Sequence, residues 1–204
     1  MKITALEPRK KYLSALYIDG EFALNLDTRV LQENRIVAGT ELDDERLREL
    51  ILLSELRRAK EKALWLLSYR DHSSKELFDK LKRDYSEETA QSTVNRMQEL
   101  GLLNDLSFAK RYARDLHAKH QSPSTIRFKL TQKGIDRDLS DAIIESLDID
   151  PLAEIQALIE KKYSKNLSDE KGIRRTVAAL KRSGYKWSDI QSVISTYTED
   201  NFYF

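Results

Sequence analysis

The chain repeats itself at a period of about 50 residues, and that repeat limits the folds open to it. One segment runs from Ser73-Ser74-Lys75-Glu76-Leu77 through Leu81-Lys82-Arg83 to Val94. A second runs from Ser122-Pro123-Ser124-Thr125-Ile126 through Leu130-Thr131-Gln132-Lys133-Gly134-Ile135 to Ile143. A third holds Leu180-Lys181-Arg182-Ser183-Gly184-Tyr185 and Val193. Leu81, Leu130 and Leu180 are 49 and 50 residues apart, and each precedes its Val or Ile by 13. Every segment reads as helix, loop, helix, tight turn, helix. Gly134-Ile135 and Gly184-Tyr185 supply the glycine and packed apolar residue that close a helix C-terminus. The first segment has Asp84-Tyr85 instead, so its turn is expected to differ. Asp105 is expected to cap the helix carrying Phe108, Ala109, Tyr112, Ala113 and Leu116, and Asp150-Pro151 reads as an N-cap followed by proline at the first helical position. Units of about 45–50 residues are too small for comfortable independent cores. Neighbours must pack, which predicts tandem three-helix modules in an elongated curved array.

The N-terminal region reads differently. Tyr12–Ile18 and Glu21–Leu26 flank Asp19-Gly20, a strong two-residue hairpin signal because both turn residues tolerate positive φ. An isolated hairpin is marginal in water, so it is expected to rest on a following segment, with Val30-Leu31 and Ile36-Val37 as candidates and Gly39 marking a turn. From Asp43 or Asp44, either a suitable cap, Leu47, Leu50, Ile51, Ala59, Ala63, Leu66 and Leu67 follow a helical stripe to about Tyr69, with a break possible near Ser54. The expected organisation is therefore a mainly α chain: a β-hairpin extension over 1–42, a first helical module with its lead-in helix over 43–105, and three-helix modules over 106–150 and 151–204.

Composition excludes several classes. There is no Cys, which removes disulfide frameworks and thiolate metal sites and fits a reducing compartment. No stretch approaches the roughly 20 apolar residues of a membrane helix, and the N-terminus has no signal-like apolar run, so a cytoplasmic location is expected. The net charge is +1, and residues 1–58, 59–105, 106–150 and 151–204 carry −1, −1, +1 and +2, so any nucleic-acid contact must come from local patches.

No constellation reads as catalytic. Glycine is too scarce for a phosphate loop, and neither Gly-x-Ser-x-Gly nor His-Glu-x-x-His occurs. His117 and His120, spaced i, i+3, suit a metal, but no visible carboxylate set completes a site, so a structural or surface role is expected and no cofactor or metal. Asn104-Asp105 is read as a cap at a module junction. Core packing is expected for most of Trp65, Tyr69, Tyr112, Tyr163, Tyr185 and Trp187. The tail Asn201-Phe202-Tyr203-Phe204 either docks on the last module or is disordered.

Basic residues recur in the three equivalent middle helices. Lys80, Lys82 and Arg83 sit late in one middle helix, Arg127, Lys129 and Lys133 in the next, and Arg174, Arg175, Lys181 and Arg182 in the third, with Lys161 and Lys162 nearby. A solvated face with favourable dipole placement accounts for any one of them. Their recurrence in three helices points to a stripe facing a polyanion or an acidic protein surface, although interspersed acids weaken it.

Leu66-Leu67-Ser68-Tyr69-Arg70-Asp71-His72-Ser73-Ser74-Lys75-Glu76-Leu77 resembles the RecX signature of Leu, Arg, Ser and Glu-Leu. Gly101-Leu102-Leu103-Asn104-Asp105-Leu106-Ser107-Phe108-Ala109 resembles its Gly-Leu-x-Asn-Asp turn leading to Phe-Ala, and Lys133-Gly134-Ile135 and Gly184-Tyr185 resemble its repeated turns. The resemblance spans roughly residues 59–195. The N-terminal hairpin resembles the extension of longer members. Departures are the glycine missing from the first module's turn and the one missing before Pro123, where the loop reads His120-Gln121-Ser122-Pro123. Local turn changes are expected there and not a changed function. The resemblance implies a cytoplasmic bacterial protein, monomeric, without cofactor or catalytic residues, that binds RecA filaments on DNA and modulates recombinase, usually by inhibition. Direct contact with single- or double-stranded DNA is open. A helical-repeat nucleic-acid-binding module or a scaffold unrelated to RecA is the alternative.

Overall fold

The structure, a computed structural model, describes residues 1–10 and 12–197; the aromatic tail at 201–204 lies outside the described residues. The chain divides into two compact units, Met1–Leu103 and Asn104–Phe204.

In the first unit, β1 (Ile3–Pro8), β2 (Leu13–Ile18) and β3 (Glu21–Asp27) form an antiparallel sheet in chain order. Asp19 and Gly20 turn the β2–β3 hairpin with φ of 50° and 93°, as the Asp-Gly signal requires. The expected hairpin is thus two strands of a three-stranded sheet. β1 escaped the sequence reading because its alternation is short and ends in Pro8. Besides its ladder with β2, its first residue is pinned by a distant stretch, with Ile3 N–H donating to Thr40 O and Gly39 N–H to Ile3 O. The sheet rests on α1 (Thr28–Glu33) through Val30 and Leu31, and on Ile36, all buried with Ile3, Leu16, Leu26, Leu42 and Leu50. Val37, also a candidate, is exposed.

α2 (Asp44–Tyr69) starts at Asp43, whose side chain accepts from Arg46 N–H. It runs without the break considered near Ser54. Ser54 is buried, and its hydroxyl accepts the N–H of Asp27, so a polar residue in mid-helix holds the end of β3. Asp27 in turn caps α1 and lies 3.5 Å from Arg57 Nε of α2. The far half of α2 joins α3 (Ser74–Leu81) and α4 (Glu87–Glu99) around Ala63, Leu66, Leu77, Leu81, Val94 and Met97. Ser73 and Glu76 close a reciprocal capping box at the start of α3. After α3 the turn is one residue shorter than in the later modules: Tyr85 N–H reaches Leu81 O, where Ile135 N–H reaches Leu130 O. No residue between Leu81 and Tyr85 has positive φ, which is why this module dispenses with glycine.

The second unit holds α5 (Asp105–His117), α6 (Pro123–Gln132) and α7 (Arg137–Glu145), then α8 (Pro151–Leu158), α9 (Glu170–Arg182) and α10 (Trp187–Ile194). A π-helical turn (Ile159–Tyr163) and a short 3-10 turn (Ser164–Asn166) lead from α8 to α9. Asn104, and not Asp105, caps α5, accepting Ser107 N–H; Asp105 is the first helical residue, where its charge suits the dipole. Asp150 and Pro151 start α8 as expected. Leu81, Leu130 and Leu180 are fully buried, and Val94, Ile143 and Val193 nearly so, as the repeat requires.

The two halves of this unit meet at a polar seam. Ser183 O accepts from Ser122 N–H at 3.0 Å and from Thr125 hydroxyl at 3.2 Å, and Gly184 O accepts from Ser124 hydroxyl at 2.9 Å. Tyr185 hydroxyl donates to His120 O, and Glu154 of α8 accepts from His117 Nε2 at 2.9 Å and His120 Nδ1 at 3.1 Å. Burial pushes the Tyr185 phenol up to about 12, and the Glu154 charge adds to it. Burial alone would raise Glu154, but the hydrogen bonds and charge of His120 and His117 outweigh it and hold the carboxyl below its ordinary value.

Two outcomes follow. Gly184 has φ of 85°, and a Cβ there would strike the Thr125 and Ser122 hydroxyls, whereas Gly101, at φ 68°, faces open space. Gly101→Ala should therefore cost about 1–2 kcal/mol of backbone strain, and Gly184→Ala measurably more because overpacking adds to it, as read by urea denaturation. Glu154→Gln should destabilise by roughly 1–3 kcal/mol at pH 7. A depressed carboxyl pKa contributes stability above its unfolded value that is lost as pH falls through the folded one. Thermal melts should therefore show the gap between wild type and Glu154→Gln narrowing as pH drops below 4.5.

Candidate functional site

The middle helices α3, α6 and α9 each carry a lysine at or near the C-terminus, one residue after Leu81 and Leu180 but three after Leu130. Lys82, at the C-cap of α3, sets its Nζ 5.6 Å from the Phe78 ring centroid and 2.6 Å from Glu87. Lys133, at the C-cap of α6, sets its Nζ 5.7 Å from the Tyr112 ring. Lys181, in the last turn of α9, sets its Nζ 4.6 Å from the Trp187 ring. A cation over an exposed ring gains about 0.5–1 kcal/mol, and a cation at a helix C-terminus adds a favourable dipole term. Each module thus sets one lysine of its middle helix against an aromatic ring, that of Lys82 also paired with Glu87.

The remaining expected cations differ in how much charge they present. Arg83 is exposed beside Lys82, while Lys80 is half-buried. Arg127 pairs with Asp141 of α7, and Lys129 donates to the Gln121 amide oxygen at 3.2 Å. Arg174 pairs with Glu170. Arg174 and Arg175 are brought together with Lys171, Glu170 and Ala178 around an open hollow of about 340 Å³. Arg182 is exposed at the end of α9. Lys161 and Lys162 are exposed on the π-helical turn and do not line that hollow. Exposed pairs of this kind are worth little in stability, yet they lower the charge that Arg127 and Arg174 present.

Sequence reasoning missed some features. Trp65 and Tyr69 do not join a core: they are 57% and 74% exposed, in edge-to-face contact with centroids 4.9 Å apart. The buried stripe of α2 passes through Ala59, Ala63 and Leu66, and both rings lie off it, as a helical wheel would have shown. Tyr112, Tyr163, Tyr185 and Trp187 pack on cores as expected. Tyr85 gathers Arg58 and Lys62 at 6.0 and 5.9 Å from its ring, and the Lys62 hydrogen bond and charge pull the Asp84 carboxyl down. The short turn after α3 creates this cluster, and no spacing rule announces it.

Among the described residues, no group of three or more His, Cys, Asp or Glu side chains is arranged to hold a metal ion, and no helix is long and apolar enough to cross a membrane. His117 and His120 face Glu154 in the seam between α5 and α8.

The spans of these helices coincide with known domains. The first three-helix domain of RecX matches residues 59–97, and the second matches 104–143. The chain is 29% identical to the regulatory protein RecX of Bacillus subtilis, over 98% of this chain and 78% of that protein. It is 25% identical to that of Clostridium tetani, over 95% and 93%. A crystal structure of regulatory protein RecX has the same fold, with a TM-score of 0.63 at 24% identity over 94% of this chain and 98% of that one. RecX from Lactobacillus salivarius superposes with a TM-score of 0.58 at 25% identity over 70% and 96%. Two RecX three-helix domains match in order, and the Clostridium tetani and Bacillus subtilis proteins align with 95% and 98% of the chain: the protein belongs to the RecX family.

Proposed function

We propose that this protein is a cytoplasmic, monomeric regulator that binds RecA filaments on DNA and inhibits recombinase, ATPase and coprotease activities, and so tempers recombinational repair and the SOS response. The observation that carries this reading is the recurrence of a ring-supported lysine at the end of each middle helix, in Lys82, Lys133 and Lys181. A partner that repeats along an axis suits a chain that repeats along its sequence. Each cationic contact is weak, but linkage in one chain makes later contacts intramolecular, so their effects multiply. Contacts to phosphate or to acidic protein also release counterions, so binding falls with salt. Seated on a filament, the chain blocks subunit addition and strand exchange by occupancy, with no chemical step of its own. The named relatives, regulatory proteins in their own organisms, fit this reading.

A variant carrying alanine at Lys82, Lys133 and Lys181 should keep the wild-type circular dichroism spectrum. Its half-inhibitory concentration in a RecA ATPase and strand-exchange assay should rise at least about tenfold, with a shallower salt dependence. A folded variant that inhibits as well as wild type removes this surface from the reading.

A further inference from the structure

The middle-helix lysines leave the N-terminal sheet without a role, although it has the most distinctive exposed surface of the first unit. One face packs on the core through Ile3, Leu6, Leu16, Leu24 and Leu26. Side chains alternate along a strand, so Tyr17 and Asn25 fall on the other face, and Phe22 pairs with Tyr17 across a bulge. That face carries a hollow of about 910 Å³ lined by Pro8, Arg9, Lys10, Leu13, Tyr17, Phe22 and Asn25. The Phe22 ring is 54% exposed and stands edge-on to Tyr17 with centroids 5.9 Å apart. At the β1–β2 turn, Tyr12 is 72% exposed with the Arg29 guanidinium 5.9 Å from its ring centroid.

The charged side chains that line this hollow, Arg9 and Lys10, are both cations. Arg29 adds a third beside Tyr12. The Glu7 carboxylate accepts from Arg9 at 3.0 Å and from Tyr17 hydroxyl at 3.1 Å. Arg9 therefore neutralises Glu7 and the pair orients the Tyr17 ring, while Lys10 and Arg29 carry the surplus. An apolar protein segment would bury the Lys10 charge without bringing it an acidic partner. A single nucleic-acid strand uses both features at once: its bases stack on exposed rings, and its phosphates track the cations. A duplex, with its bases already stacked, uses only the second.

We propose that this aromatic and basic sheet face is a binding platform for single-stranded DNA, with Phe22 and Tyr17 stacking bases and Arg9, Lys10 and Arg29 meeting phosphates. The choice of DNA over RNA rests on the filament reading above; the stacking and charge argument does not. The sheet holds displaced or filament-end strand while the helical modules engage protein.

The test uses the full chain and a fluorescein-labelled 20-mer of deoxythymidine in an anisotropy titration without recombinase. Phe22→Ala should weaken binding about tenfold, the loss expected for one base–aromatic stack, while Phe22→Trp retains it. A duplex of equal length should bind more weakly than the single strand. In wild type, photocrosslinking with 5-iododeoxyuridine should mark the stretch between Tyr12 and Phe22. Unchanged affinity in a folded Phe22→Ala variant, equal affinity for the duplex, or crosslinks confined to the helical modules would each overturn the platform. Tighter binding of the matching RNA overturns the assignment to DNA. Because no recombinase is present, the platform can stand when the three-lysine variant leaves RecA inhibition unaltered, and can fall when that variant abolishes it.

Discussion

In the second unit, one helix ends where another begins, and the free backbone groups of both are satisfied together. The last carbonyls of a helix and the first amides of another have no partners within their own helices. Here the C-terminal carbonyls of Ser183 and Gly184 meet the Ser122 N–H and the Ser124 and Thr125 hydroxyls at the start of α6. The dipoles oppose favourably, negative end against positive. Because three donors converge on two adjacent carbonyls, the approach tolerates no side chain at Gly184. Glu154 completes the seam by accepting from two histidines of α5 and its following loop. Two small cores that share such a seam order each other.

This seam explains why a protein of small modules can afford polar surfaces between them. The cores around Leu130 and Leu180 are each closed by their own helices. What lies between is hydrogen-bonded with specific geometry, so it fixes register as well as adhesion. Ser54 does similar work in the first unit. It sits buried in the middle of α2 and receives the N–H of Asp27, tying a helix of the first module to the last strand of the sheet. α2 therefore serves two cores, through Leu50 at one end and Ala63 and Leu66 at the other.

The surfaces left over divide by chemistry. Middle helices end in lysines seated on rings, which suits repeated contact with a charged partner. The open sheet face offers bare rings beside cations, which suits flat, stacking ligands. Neither surface needs a deep pocket, and the binding reading asks for none. The ion pairs of Arg127 and Arg174 with Asp141 and Glu170 also matter here, because they reduce how much of the formal charge a partner meets.

The residue pattern by itself determined the repeat, a helix start at Asp43 or Asp44 and another at Asp150, and the Asp-Gly hairpin, because these depend on spacing and on local backbone preference. Even there, Asn104 displaced Asp105 as a cap, since both residue types serve and only the backbone entering the helix selects one. Tertiary structure alone decided the rest. β1 pairs with β2 and is pinned at Ile3 by a segment more than thirty residues away. His117 and His120 acquire a carboxylate from a different helix, and Trp65 and Tyr69 fall outside a core whose boundary depends on where α3 and α4 land. Contacts between residues distant in sequence carry no local periodicity, and so no inspection of spacing can reveal them.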